Sequence, residues 1–484
     1  MTSSLLNREP TADVFMNAPG RARGAASGNL LVLYGRLLGP LLGGYLLLDK
    51  GWAYIRLPGT PLYIGEMVLT VGALGVLAAT GYLRIPVRDE PILGVLAAFF
   101  LWGFIRFLPG FESYGIQALR DFALVYYCLF AFFAVAALAR APDLLDRWLV
   151  QLARFVPWLL IWLPFALVLP LYIRGPSVPF SGTPVLTHKP GNAAIAAVIA
   201  LGAMWLFPGT RSARSRVALS LLALVVMALS ATQNRGGLVG ATAALLVGLL
   251  FLPSRDRLRL IVRAVVIITL GLGLAVQLSL KIPTSEARSR ALSASQLIEN
   301  ITSIGGSRSG ELAGTVAGRN VLWTLVYDQQ RREGLLVEGF GFGVNLPYLV
   351  NDTQVTNGSD PLRSPHNSHD DVLARMGLIG IFLWIALWLG WYWRMVTGCR
   401  RLARRGMHVR RQVGVLCLMT VTAFLVSSFF DPQLEGAQVA ALMWTACGIG
   451  VAVTSFRGWF GRQVSVSSTA ESPSASLSRD ALQG

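Results

Sequence analysis

Apolar runs long enough to cross a bilayer recur along almost the whole of this chain, and that leaves a backbone few choices. Hydrocarbon offers no water to the N–H and C=O groups, so only helices and closed barrels can span it. Runs of about 20 residues point to helices. Twelve such runs can be read: 30–48, 62–83, 92–108, 120–138, 155–173, 191–207, 216–231, 236–252, 260–280, 369–393, 412–430 and 436–455. Composition agrees. Hydrophobic residues make up 54% and charged residues only 14%, against about 25% charged in a soluble domain, and the mean hydropathy is +0.56. The expected fold is an all-α integral membrane protein of about twelve spans.

The charge is sorted by side. The net charge of +17 comes from 42 basic against 25 acidic residues, and the lysines are only Lys50, Lys189 and Lys281. The N-terminus, 84–91, 139–154, 208–216, 253–263, 394–411 and the C-terminal tail together hold 25 Arg and no Lys. The alternate short connections, 49–61, 109–119, 174–190, 232–235 and 431–435, hold five basic residues. The positive-inside rule puts the Arg-rich side in the cytoplasm, with both termini. A basic pI can mark a nucleic-acid partner. Here the charge sits in short loops between apolar spans, so the bilayer is the expected partner and nucleic acid is not.

The chain therefore divides into a cytoplasmic segment 1–29, spans over 30–280, an outer loop 281–368, spans over 369–455 and a tail 456–484. The Ser/Ala-rich tail reads as disordered. The outer loop is too long for a simple connection. Its stretch 317–334 has helical periodicity, with Leu322, Leu325, Val326 and Gln329 near one face, and reads as part of a helical cap. No small-residue cleavage site follows a short apolar core near the N-terminus, so the first span reads as a retained anchor. Cys128, Cys399, Cys417 and Cys447 show no metal or disulfide spacing.

Chemistry gathers at the outer ends of the runs. A transporter would place it at the bilayer midplane, often within internal repeats. The densest polar cluster is Ser364 to Asp371. Ser364 and Pro365 read as N-cap and first helical residue, which puts His366 in a first turn where the helix dipole keeps its imidazole uncharged. An uncharged imidazole can act as a general base. Asp370, four residues on, could orient it. His366, His369 and Asp370 could alternatively hold a divalent ion, though that spacing is permissive rather than specific. Arg235 opens an apolar run on the side poor in arginine, and a helix start with a guanidinium suits phosphate or pyrophosphate. Lys189 and His188 lead into another run and could add to an anion site. Arg319, Arg106 and Arg120 are further outer cations. A Gly-x-Gly-x-Gly at Gly339, Gly341 and Gly343 lacks the strand–turn–helix setting of a nucleotide loop and reads as a tight turn.

The order of these motifs, Arg-Gly-Gly at 235–237, Gly318-Arg319 with Trp323, the 339–343 glycines, His366-Asn367 and then Gly377 to Gly380, resembles the bacterial O-antigen ligase and polysaccharide polymerase superfamily of inner-membrane glycosyltransferases. Arg375 stands where that family often has Glu. The resemblance implies a fold similar to the C-type glycosyltransferases, with a large helical periplasmic loop and no metal or other cofactor. It implies transfer of a glycan from undecaprenyl pyrophosphate to a lipid A–core sugar at the periplasmic face, or onto another carrier-linked repeat in a polymerase. His366, Arg235 and Arg319 would be catalytic. Lys189, His188, Asn367, Asp370 and Arg120 would bind substrate. A polytopic transporter is the alternative from a different class.

Overall fold

The computed structural model describes residues 29–79, 88, 90–173, 175–207, 212–252, 257–258, 281–282, 292–293, 311–349 and 363–455, with 29, 281–282, 292 and 311–320 as backbone only. The expected span 260–280, much of the outer loop, the N-terminal segment and the tail lie outside them. The architecture is helical: α1 Asn29–Leu48, α2 Ile64–Ala78, α3 Pro91–Tyr114, α4 Leu129–Arg140, α5 Leu144–Val168, α6 Pro190–Leu206, α7 Ala213–Ala231, α8 Arg235–Leu250, α9 Glu311–Arg332, α10 Ser368–Arg404, α11 His408–Ser427 and α12 Ala437–Thr454. A two-residue antiparallel ladder pairs Lys281–Ile282 with Leu292–Ser293.

Eleven of the twelve apolar runs thus fall on helices. Seven of these helices are long and apolar enough to cross a membrane, and eight if the bent pair Ile116–Tyr126 and Leu129–Arg140 is one span. The helices α2, α6 and α8 have only 10–17 residues. The sequence marks apolarity but not where a helix ends: these three stop at Ala78, Leu206 and Leu250, inside or at the edge of their apolar runs.

The core lies along α4, α6, α11 and α12, which are buried on most faces, as helices apolar all round must be. The outer faces of α3, α5 and α7 show Leu101, Trp158, Phe165 and Val225, the surface a bilayer would cover. Glycines set the closest approaches. A Cβ on Gly240 would lie 2.4 Å from the Ala423 carbonyl oxygen, and one on Gly448 would lie 2.3 Å from that of Ala131. Small residues at such points let helix backbones meet.

The feature that shapes the site is a break in α10. Its 37 residues are interrupted at Gly377, with φ 66° and ψ −164°. At about 1.5 Å per residue the whole helix would far exceed the ~30 Å of hydrocarbon. The break frees backbone groups, and the segment 336–341 takes them up. Phe340 N–H donates to the Ala374 carbonyl (2.8 Å), Gly341 N–H to Arg375 (3.0 Å), and Leu378 and Ile379 N–H donate to Leu336 (2.9 Å) and Val337 (3.3 Å). The strap lies between α10 and α3. Trp102 Nε1 donates to the Met376 carbonyl at 2.8 Å, and Arg106 reaches the Gly339 carbonyl at 2.9 Å and Glu338 at 2.6 Å. The Gly339–Gly343 motif is therefore a backbone-paired strap, more than the tight turn its sequence suggests. All three glycines have positive φ, and a Cβ on Gly339 would lie 2.5 Å from the Arg375 carbonyl.

Candidate active site

The loops that read as outer meet at one end of the bundle. Asp49, at the end of α1, accepts from Lys189 N–H at 2.7 Å and from Asn192 Nδ2 at 2.8 Å. Lys189 Nζ pairs with Asp431 Oδ2 at 3.1 Å. Arg235 is the first residue of α8, capped by Asn234, whose Oδ1 accepts from Gly237 N–H at 2.8 Å. A Cβ on Gly237 would lie 2.3 Å from Gly191 Cα, and one on Gly236 would lie 2.5 Å from Phe430 Cβ. The Arg-Gly-Gly glycines thus let the start of α8 press against the loop 189–191 and the turn 428–431. The same turn receives α10, where Ser368 N–H donates to the Ser428 carbonyl at 3.0 Å. The starts of α8 and α10, at Gly236 and Ser368, are thereby held against one three-residue stretch.

The start of α10 differs from the sequence reading. The N-cap is Asn367, not Ser364, and helix begins at Ser368. The Asn367 Oδ1 accepts from His369 N–H at 2.9 Å, and its Nδ2 donates to Asp370 Oδ2 at 2.7 Å. His366 precedes the cap with φ 62°. That left-handed conformation excludes it from the first turn, so it does not occupy the helical position four residues before Asp370 that the sequence suggested. Asx capping overrides the Ser-Pro signal because Asn367 satisfies a first-turn donor directly. Asn367 itself is buried and occupied as the cap. His369 is occupied too. Its Nδ1 accepts from Trp384 Nε1 at 2.9 Å, its Nε2 meets the Leu425 carbonyl at 3.1 Å, and its ring stacks on Phe429. Those partners fix the Nε2–H tautomer. With both nitrogens engaged, His369 cannot also serve the divalent-ion reading. Among the described residues no three His, Cys, Asp or Glu groups converge as metal ligands.

The cap helix α9 docks on this end. Trp323 Nε1 donates to the Pro365 carbonyl at 2.6 Å, one residue before His366. Arg319 sits one helical turn before Trp323. The buried face of α9 runs through Leu322, Val326 and Gln330, while Leu325 is exposed. The stripe is thus rotated from the expected Leu325 and Gln329, because Gln330 Nε2 spans the Leu335 (3.3 Å) and Leu373 (3.1 Å) carbonyls.

The remaining site residues divide. The His188 side chain is buried, with Nε2 at 3.2 Å from the Leu46 carbonyl and Nδ1 at 3.8 Å from Asp49 Oδ2. It packs inside the loop cluster rather than facing outward. Arg120 is exposed, but its neighbour Asp121 is buried and gathers four donors: Arg363 Nε at 3.2 Å, Arg363 Nη2 at 3.1 Å, Arg375 Nη1 at 3.0 Å and Gly343 N–H at 3.0 Å. Arg375 also stands 3.4 Å from Asp371 Oδ1 and donates to the Val344 and Arg363 carbonyls, each at 3.2 Å. Glu435 joins from the turn before α12. Burial pushes its carboxyl well above the usual carboxylate range, and the nearby Asp371 carboxylate adds to this. Nothing in the sequence flagged Asp49, Asp121 or Glu435. Each is a lone acid whose partner lies far away along the chain.

Residues 218–385 match the family model described as O-Antigen ligase. The match covers about a third of the chain. It includes Arg235, Arg319, His366, the 339–343 strap and the break at Gly377, and it leaves out Asp49, Asp121, Lys189 and the turn 428–436. No curated protein matches the chain.

Proposed function

From the O-antigen ligase domain that residues 218–385 carry, we propose that this multi-pass membrane protein is a glycosyltransferase. It moves a glycan from undecaprenyl pyrophosphate to a sugar hydroxyl of lipid A–core at the periplasmic face of the bacterial inner membrane. One observation supports the reading above others. The start of α8 with Arg235 and the loop with His366 rest on the same turn, 428–430. A cation for a leaving phosphate and a base for an attacking hydroxyl thereby stand at one end of the bundle.

The chemistry follows from those groups. The leaving pyrophosphate develops charge that fixed cations stabilise; Arg235 at the α8 N-terminus and Arg319 of α9 supply them. His366 accepts or orients the proton of the acceptor hydroxyl. The hydroxyl oxygen bonds to the anomeric carbon as the bond to pyrophosphate breaks. Attack opposite the leaving group inverts the anomeric centre, and a product of retained configuration would reject that geometry. Lys189, Asp370 and Arg120 contribute to substrate binding, and no metal takes part.

The test is the lipopolysaccharide pattern of a deletion strain. Bare core with carrier-linked polymer accumulating fits the ligase. Core bearing single repeats fits a polymerase instead. Complementation with Arg235→Ala or His366→Ala restores nothing although both proteins insert. Full activity in either removes that residue from the mechanism. Transfer by purified protein without any gradient excludes a transporter.

A further inference from the structure

Two loops at the Lys189 end of the bundle carry no charge at their tips. Residues 57–65 and 175–187 hold no Asp, Glu, Lys, Arg or His. Each loop closes as a hairpin. In the first, Leu57 N–H donates to the Leu62 carbonyl and Ile64 N–H to that of Ile55, both at 2.9 Å. In the second, Val178 N–H donates to the Thr183 carbonyl at 2.7 Å and Val185 N–H to that of Pro176 at 2.9 Å. Arg56 donates from Nη2 to the Phe180 carbonyl, so the guanidinium beside the first tip ties the two hairpins together.

The tips turn apolar side chains outward. Phe180 is 65% exposed, Leu57 48% and Leu62 40%, whereas Val178 is buried. Phe180 has φ 65°, a conformation that a bulky residue rarely adopts. Strain of that kind persists where the surroundings demand it, and here it leaves the ring outside the hairpin. Water is a poor host for such a surface. A protein interface sets its apolar centre inside a polar rim, and these tips offer no ionic group to one. The bilayer fits better. Tyr172 and Ile173 are exposed and carry the lipid-covered face of α5, with Trp158 and Phe165, on toward the second hairpin. Pro176 follows Ile173 by three residues, at most ~10 Å of extended chain, so the hairpin stays near headgroup depth. Pro58, Pro61, Pro176, Pro179 and Pro184 remove backbone donors that poorly hydrated surroundings would leave unpaired. Open loops do not enter the hydrocarbon itself, which limits the depth to the interface.

We propose that the two hairpins form one interfacial anchor, with Phe180, Leu57 and Leu62 set among the lipid headgroups and upper acyl chains at this end of the bundle. The anchor holds the loops that lead into α2 and α6 against the membrane surface. It needs the bundle to span a bilayer and is independent of the glycosyl-transfer reading.

The test is spin-label accessibility in the full-length protein, in nanodiscs of phosphatidylcholine and phosphatidylglycerol. Leu57→Cys, Leu62→Cys and Phe180→Cys are labelled one at a time. The four native cysteines are buried, and label taken up by wild type is subtracted. Phe382→Cys, on the exposed face of α10, is the lipid reference, and Arg405→Cys, exposed between α10 and α11, is the aqueous one. Collision with oxygen, which concentrates in acyl chains, is compared with collision with a water-soluble nickel chelate. The expected oxygen-to-nickel ratio at all three tip positions lies nearer that of Phe382→Cys than that of Arg405→Cys. Size exclusion before labelling checks folding, and the two leucine positions carry the test if Phe180→Cys does not fold. Ratios at the Arg405→Cys level overturn the proposal and put the tips in water. Shielding from both reagents also overturns it and assigns the surface to a protein contact.

Discussion

Asp121 and Arg375 form a buried ion pair, 3.0 Å from Oδ2 to Nη1, between a short helix of the first half of the chain and the start of α10. Neither is exposed to any useful degree, at 2% and 0%. Around the same carboxylate stand Arg363 and the Gly343 N–H. This acid therefore ties the strap, the loop leading to His366 and the broken helix to one point.

Removing Asp121 should be costly. Asp121→Ala leaves a buried guanidinium short of its partner, a loss on the order of 3–5 kcal/mol. Asp121→Asn keeps the shape and should lose less. A melting series in detergent checks the order, wild type above Asn above Ala. Equal melting in all three would show that the pair carries no stability.

The strap requires glycine where it meets α10. Gly377→Ala would place a Cβ 2.2 Å from the Val337 carbonyl oxygen at a positive φ. That exceeds what a side-chain shift can relieve, so folded yield should fall sharply. Gly334→Ala, also at positive φ but with open space around it, should cost only about 1 kcal/mol. Comparing the monodisperse fraction by size exclusion separates the two. Similar yields would contradict the pairing.

Trp323→Phe keeps the ring packed but deletes its hydrogen bond to the Pro365 carbonyl. A net hydrogen bond contributes about 1 kcal/mol, so melting should drop slightly. Turnover should fall further than stability does, because the loop before His366 loses a tether. Unchanged turnover in purified protein would show that α9 does not set that loop.

Glu435 gives a pH prediction. Its folded-state carboxyl is raised by burial and by Asp371. Such a group stabilises the fold fully below its unfolded value and loses that contribution as pH rises through the folded one. Wild type should thus melt lower as pH climbs above the ordinary carboxylate range. Glu435→Gln, which cannot ionise, should flatten that decline. Parallel pH profiles would place the sensitivity elsewhere.

The sequence carried the helices well, because apolar length is a local property. It also brought Arg235, Lys189 and the 366–370 segment to one end. It did not reveal the Gly377 break. A glycine in an apolar run reads as a packing residue, and the backbone groups that answer it belong to a segment some forty positions earlier. The cap at Asn367 was obscured by a second cap signal three residues before. Asp121 with Arg375, and Asp49 with Asn192, are long-range pairs, and no periodicity announces them. The Leu46 carbonyl and Asp49 that hold His188 are likewise distant from it in sequence.

The turn at 428–436 also bears on biogenesis. It joins the last two described helices to leave the ribosome, yet α8 and α10 both lean on it. A nascent chain that has inserted every earlier helix still lacks the wedge that aligns them. Chains stalled before that pair of helices enters the bilayer lack half of the buried core as well as the wedge, and should be degraded rather than persist.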